Sequence, residues 1–560
     1  MVNHLTLDNV ATAVMQALDS ARVQQCTQPD APEFGGRVQP QSRMADHRGT
    51  AELIHGLSLQ WRLQVQHPGL IPAASVAALE TALTRALEYL LRIQRPSGLF
   101  DTIDCNYDSP PDTGFSVQHL AAAWANFTVV GAPAQRVQTT LAEVLKRTIP
   151  GLSTCGFHTP NHRWVVLSAL VLVNQIFPQL DLSASMQRLQ AEGVDVDADG
   201  LFIERSPAVY DTVNLFSLLL THEQRTWPEA LRGVLACLKF NQHLFHADYT
   251  VETGLSHRFD FGQSLVPQGL IYCYYRAGKV SGDRHWLKVA DEIWQHSPRD
   301  MFNALCHLLQ AVLDLGATDP ASLADLPGLP TEYNDWYPTN KFWRRRAGLL
   351  SASVFGGTRR LLSMKYGAAH LHCVSVHQSY FGPAGEFVGD TFTVTQQGIS
   401  LHSSGVRHPR RPGYDLPLER RIADIHEWMQ TEHGRTQHRL PFAEVDLQLE
   451  NLPDGLAGTL TTRGGTEGVM AQIALDFAPG GVWSTADMAL QPVANQVLML
   501  HGAAGTMRYG NDTITITGGS PTHRTWAMRD SLQLTGTARV IIPLRTPFTH
   551  RFTLRGHRGW

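Results

Sequence analysis

The spacing of apolar residues changes once along this chain, and that change constrains the fold more than any other feature. Between residues 75 and 315 apolar side chains recur every three or four positions. In 76–94, Leu79, Leu83, Ala86, Leu87 and Leu90 mark one helical face, and Pro96-Ser97-Gly98 ends the run. Comparable stretches lie at 115–130, 137–147, 162–177, 210–220, 228–240, 264–277, 286–295 and 300–315. Each pair takes up roughly 40–50 residues without a visible sequence repeat, a length suited to helical hairpins that stack as a solenoid or close as an α/α toroid. Beyond residue 350 the helical period is lost. Short alternating or apolar runs at 360–366, 369–379, 390–397, 443–449, 456–463, 469–476, 497–500 and 540–544 are parted by Gly-Gly, Pro-Gly and Asn-Asp turns. They read as strands of an antiparallel β-sandwich. The boundary falls within 325–346, where Leu-Pro-Gly-Leu-Pro opens an irregular connector rich in Trp and Arg. The expected domains are 1–335, helical with an N-terminal extension over 1–70, and 336–560, the sandwich.

Composition narrows the function. A chain of 560 residues exceeds one ordinary core. With 43% hydrophobic and 17% charged residues it is a globular protein, not a disordered one. A net charge of −4 without a long basic run argues against a nucleic-acid partner. It leaves room for a local basic cleft that holds an acidic glycan. Seven scattered cysteines, odd in number and without a CxxC pair, read as free thiols and not as a disulfide frame or thiolate zinc site. Residues 1–20, with His4, Asp8 and Asp19, lack the basic start and apolar core of a signal peptide. No apolar run reaches membrane-spanning length. The expectation is a cytoplasmic protein with no membrane partner; its oligomeric state is open.

Two short segments carry chemistry. Thr159-Pro160-Asn161-His162-Arg163-Trp164 precedes a helical run, so Asn161 sits near a helix N-terminus, where it caps backbone amides or faces a cleft. In Asp199-Gly200-Leu201-Phe202-Ile203-Glu204-Arg205-Ser206-Pro207-Ala208-Val209-Tyr210, Ser206 and Pro207 read as a cap and first helical residue. Tyr210 then emerges on the first turn, with Asn214 one turn later. Glu204 is expected to pair with Arg205 or Arg163. A third cluster, Glu252 to Asp260, offers His257 and Arg258 in a Gly-containing loop; Arg258 suits a carboxylate ligand or contacts Asp260. In the loop 107–115, Asp112 reads as a helix cap and Tyr107 and Phe115 as a sugar platform. His370-Leu371-His372 on a strand points both imidazoles to one face. With a carboxylate from a neighbouring strand, such a pair suits a mononuclear zinc site. With His372 and Asp390 as two ligands, the third is open among His402, His408, His426 and His433.

The Asn-His pair and the Glu-x-Ser-Pro…Tyr run resemble the heparinase II/III-like polysaccharide lyases, well over residues 155–220 and elsewhere in outline. The resemblance implies an N-terminal α/α toroid (an incomplete helical-hairpin barrel) followed by an antiparallel β-sandwich. It also implies β-elimination on uronic-acid glycans, giving a 4,5-unsaturated uronate. Such chemistry needs a group that offsets the uronate carboxylate, a base for the C5 proton and an acid for the leaving oxygen. By resemblance Asn161 takes the first role, assisted by His162 and Arg163 or with those two holding the loop. Tyr210 supplies the acid, and His370 is a base. His372 and Asp390 would hold a structural zinc, and no cofactor is required. Arg163, Glu204, Asn214, His257, Arg258 and Tyr107 are the expected substrate contacts. Two other classes stay open: a glycoside hydrolase using paired carboxylates among Glu204, Asp112, Asp199 and Asp260, and a non-catalytic glycan-binding protein.

Overall fold

The computed structural model describes residues 3–154, 156–379, 387–395, 398–404, 413–414, 419–431, 434–435, 437–438, 444–464, 467–528 and 531–559. These form two compact units, 1–244 with 256–330, and 245–255 with 331–560. The division is not a single cut in the chain, because the short segment 245–255 belongs to the second unit.

The first unit is helical: α1 (Leu7–Val23), α2 (His47–Gln66), α3 (Val76–Ile93), α4 (Pro110–Val130), α5 (Gln135–Thr154), α6 (Pro160–Ile176), α7 (Ser183–Gln190), α8 (Tyr210–Arg225), α9 (Pro228–Gln242), α10 (Gln268–Ser281), α11 (Arg284–His296) and α12 (Phe302–Leu315). The even-numbered helices pack side by side in sequence, and α12 returns to α2, closing an inner ring. The odd-numbered helices lie against them, as α3 does on α2 and α11 on α10. This is an α/α toroid. Position in the ring explains the sequence pattern. Outer α3 buries only Leu79, Leu83, Ala86, Leu87, Tyr89 and Leu90, one stripe. Inner α6 buries an unbroken run from Arg163 to Val171, because both its faces are covered.

The stretch 1–70, expected as an extension, instead supplies α1 and α2 of the ring. Its apolar stripe is obscured because α2 buries polar residues as well, including His47, His55, Gln60 and Arg62. Helix α2 is capped by Asp46, whose Oδ1 accepts from Gly49 N at 2.6 Å. Ser109, not Asp112 as expected, caps α4; Asp112 lies in the first turn, where its Oδ2 accepts from the Ser109 hydroxyl at 2.6 Å.

The second unit is a sandwich of an eight-stranded and a nine-stranded sheet. Among the described residues, its strand pairs are antiparallel except Val497–Met499 against Ala538–Arg545. Between the sheets lies a core that includes Leu371, Ile473, Leu475 and Ile542 from one and Leu447, Leu460, Phe552 and Ile514 from the other. The segment 325–346, expected as an irregular connector, contains strands Glu332–Tyr337 and Phe342–Ala347 of the eight-stranded sheet. Alternation was hidden there because the face turned away from the core is also buried: Arg344 is 0% exposed.

Candidate active site

The starts of four inner helices are linked by side-chain contacts. Arg48, at the start of α2, lies over the Phe115 ring of α4 at 4.6 Å. Phe115 meets His162 of α6 edge-on at 6.4 Å, and His162 meets the exposed His158 at 4.9 Å. Asn161 is joined to Glu204, Glu204 to Arg258, and the Arg258 guanidinium lies 4.3 Å over the ring of Tyr210, the first residue of α8. Tyr210 also packs edge-on against Phe259, which is 64% exposed. Arginines, aromatic rings and the positive ends of helix dipoles thus collect in one place, a combination that favours an acidic, ring-bearing ligand. A cavity of about 390 Å³ beside Arg48 is also lined by Asp46, His47, Thr102 and Asp104.

Several expected contacts are reassigned. Asn161 is fully buried, and its amide Nδ2 donates to Glu204 Oε1 at 2.8 Å and to Thr159 Oγ1 at 3.1 Å. Its backbone N–H also donates to Glu204 Oε2, at 3.0 Å. Both amide hydrogens are engaged, so this side chain has no donor left for a substrate carboxylate. Glu204 is therefore a buried hub, paired with Arg258 at 3.4 Å and not with Arg163 or Arg205; burial raises its pKa. Arg163 turns away to Glu192, Gly193 and Asp195 and stacks on Trp164 at 3.9 Å. The expected Arg258–Asp260 contact is replaced by the pair with Glu204. Asp260 instead accepts from Ser206 Oγ at 2.9 Å and Ala208 N at 3.3 Å.

Residues 206–209 form a turn, and α8 begins only at Tyr210, whose backbone N–H donates to Ser206 Oγ at 3.2 Å. The N-cap is therefore Val209, and neither Ser206 as cap nor Pro207 as first helical residue holds; Ser206 acts from the preceding turn. Tyr210 is half-buried, and its hydroxyl has no protein partner among the described residues. His162 is half-buried with Nδ1 unpartnered, and burial, aided by His158, lowers its pKa to about 4. It is a neutral imidazole at physiological pH. Asn214 is fully buried with neither amide atom bonded. His257 is exposed, and Tyr107, 67% exposed, donates its hydroxyl to Ile103 O.

The second unit holds its own polar cluster, on the face of the eight-stranded sheet turned away from the core. Arg344 donates to Ser353 Oγ at 2.7 Å, Glu252 Oε2 at 3.3 Å and His246 Nδ1 at 3.2 Å. Glu252, expected beside Arg258, thus belongs to the segment that covers this sheet. His370 and His372 share a face as expected, with rings stacked at 3.9 Å, and His246 lies 6.0 Å from His370. Burial and the neighbouring His372, Lys365 and Arg344 hold the His370 pKa well below its usual value.

The zinc site is not supported by this arrangement. Asp390 precedes a strand of the other sheet and accepts from Ser404 N at 3.0 Å and Ser404 Oγ at 3.1 Å. Neither His372 nor Asp390 belongs to a group of three metal-capable side chains among the described residues. Of the third-ligand candidates, His402 pairs with Asp446 at 2.7 Å, His426 is exposed in the helix Ile425–Thr431, and His408 and His433 lie outside the described residues.

No family model matches the sequence, and no curated protein matches it by sequence. Solved structures do match. Heparan sulfate lyase HepC from Pedobacter heparinus aligns over 98% of this chain and 83% of its own, with TM-score 0.50 and 10% identity. A Paenibacillus xanthan lyase aligns over 97% of this chain and 56% of its own, with TM-score 0.58 and 8% identity. Chondroitin AC lyase of Streptomyces coelicolor, solved with chondroitin sulphate, aligns over 98% and 79%, with TM-score 0.52 and 12% identity. The fold is that of these polysaccharide lyases. At such identities the likeness speaks for architecture, and the chemistry has to be argued from the site.

Proposed function

We propose that this protein is a lyase that cleaves uronic-acid-containing poly- or oligosaccharides by β-elimination. The observation that carries the reading is the phenol of Tyr210, half-buried beneath the Arg258 guanidinium with its hydroxyl unengaged. In this reading Arg258, 27% exposed at its side chain, takes the uronate carboxylate and offsets its charge as the enolate develops. Asn161 and Glu204 position Arg258 and do not touch the sugar. A neutral imidazole, His162, removes the C5 proton. The C–H electron pair becomes the C4–C5 double bond, the C4–O bond breaks, and the leaving oxygen takes the Tyr210 proton. The exposed ring of Phe259 offers a sugar platform. The acidic glycans of the lyases with this fold fit a rim carrying Arg48 and Arg258.

Hydrolysis fits less well. It needs two available carboxylates, whereas Glu204, Asp112 and Asp260 are each buried and engaged by neighbouring donors. Incubation with a panel of uronic-acid glycans distinguishes the classes. Elimination produces ultraviolet absorbance from the conjugated C4–C5 double bond. New reducing ends without that absorbance would overturn the lyase reading in favour of a hydrolase, and neither signal across the panel would leave a glycan-binding protein.

A further inference from the structure

Inside the helical ring, away from the helix starts described above, three buried histidines come together: His55 of α2, His119 of α4 and His307 of α12. One nitrogen of each lies within 4.8 Å of the others. His55 Nδ1 is 3.0 Å from His119 Nδ1, and the rings of His119 and His307 stack at 4.2 Å. Among the described residues, no carboxylate joins the three.

The surrounding hydrogen bonds determine which nitrogen of His55 carries a proton. Arg62, which can only donate, gives Nη1–H to Asn126 Oδ1 at 3.0 Å. Asn126 must then present Nδ2, which donates to Gln310 Oε1 at 2.9 Å and Ser58 Oγ at 3.0 Å. Gln310 in turn donates Nε2–H to Asp314 Oδ2 at 2.9 Å. Its Oε1, 3.1 Å from His55 Nε2, is therefore an acceptor, and His55 Nε2 is the protonated nitrogen. The lone pair of a neutral His55 is left on Nδ1, aimed at His119 Nδ1. A histidine that donates one ring N–H to an amide oxygen and turns the other nitrogen inward has the tautomer and orientation of a metal ligand.

We propose that His55, His119 and His307 form a binding site for a divalent transition metal of the imidazole-preferring kind, zinc foremost, that clamps the seam where α12 closes on α2. Three imidazoles without thiolate or carboxylate suit such an ion. The N–N separation of 3.0 Å would have to open by a few tenths of an ångström to reach the edge, about 3.3–3.4 Å, of a tetrahedron with Zn–N bonds of roughly 2.0–2.1 Å. A cavity of about 270 Å³, lined in part by His307, Gln310, Gln118 and Arg276, adjoins the cluster and supplies room for a water as fourth ligand. Without metal the close contact is a hydrogen bond from His119 Nδ1–H to His55 Nδ1. Binding moves the His119 proton to Nε2, with no net release. The site is independent of the lyase reading and of the His372–Asp390 pair.

The test uses full-length protein purified without a histidine tag, stripped with chelator and then titrated with Zn²⁺. The expected result is one equivalent bound, a rise in Tm on the order of 5 °C at a hundredfold excess over Kd, and no response to Mg²⁺. Co²⁺ should give a visible band of a low-coordinate nitrogen site, displaced by Zn²⁺. His119→Gln should lose the equivalent, while His372→Gln keeps it. Absence of Zn²⁺ binding and of a Co²⁺ band in the wild type would overturn the site without recourse to variants. So would a bound equivalent that survives in folded His119→Gln or vanishes in His372→Gln.

Discussion

Two charged clusters in this molecule draw on much the same residue types and differ in how completely those groups are paired. On the sheet face, Arg344 is 0% exposed and meets a carboxylate, a hydroxyl and an imidazole acceptor. Its partner Glu252 also accepts from Ser353 Oγ and Gly254 N, both at 2.8 Å. At the helix starts, Arg258 keeps part of its surface, the Tyr210 hydroxyl has no partner and His162 Nδ1 is unbonded. Buried polar groups are costly unless satisfied, so the saturated cluster is explained by folding alone. The unsaturated one is partly open to solvent at Arg258 and Tyr210, and those two groups are still available to a ligand.

Four measurements would break or sharpen this contrast. The largest effect is expected for Tyr210→Phe, which removes only a hydroxyl with no protein partner. Turnover should fall by about 10²–10⁴ with Tm unchanged, and near-normal activity in the folded variant would remove Tyr210 as the acid. Arg344→Met should do the opposite. It strands the Glu252 carboxylate, and denaturant unfolding of the second unit should show a loss of about 3–5 kcal/mol; a loss under 1 kcal/mol would mean that the sheet cluster is not the saturated network described. Asn161→Ala should cost about 1–3 kcal/mol by unpairing Glu204, with turnover reduced about tenfold through a less constrained Arg258. A drop of 10²–10³ at unchanged stability would instead restore the direct contact with the uronate.

The fourth measurement is in pH, where the change per unit is small. Burial lowers the pKa of His162 and of His47 to about 4, below the unfolded value of about 6.5. The unfolded chain therefore binds more protons between those values. Stability should be flat above pH 7 and fall on acidification from about 6.5 to 4, by up to about 1.4 kcal/mol per pH unit for each group. The Tm of His162→Asn should fall less steeply across that range than that of the wild type, and identical slopes would contradict the burial of a neutral imidazole.

Much of the fold was legible because apolar residues recur with the period of the element they build. The stripe in 76–94 and the alternation in 369–379 survive as α3 and strand Ala369–Gln378. Legibility failed where polar side chains are among the buried ones. Helix α2 was missed because it buries polar side chains, and Phe342–Ala347 because Arg344 and Arg346 are buried. At the candidate site, the bringing together of Asn161, Glu204 and Tyr210 was foreseen through the family resemblance. The centrality of Arg258 was not, since a loop arginine 54 residues beyond Glu204 carries no local sign of its partner.

The sequence by itself determined the two-part architecture, helical then stranded, because periodicity is a local property set by which face of each element leaves water. It also determined which functional groups stand at the helix starts. Only the tertiary structure decided which of those groups remain available. Asn161 is closed off by Glu204, Arg163 is drawn to Glu192 and Asp195, and Arg258 settles over Tyr210. A side chain's availability depends on partners brought in from distant positions, and spacing along one chain cannot encode that.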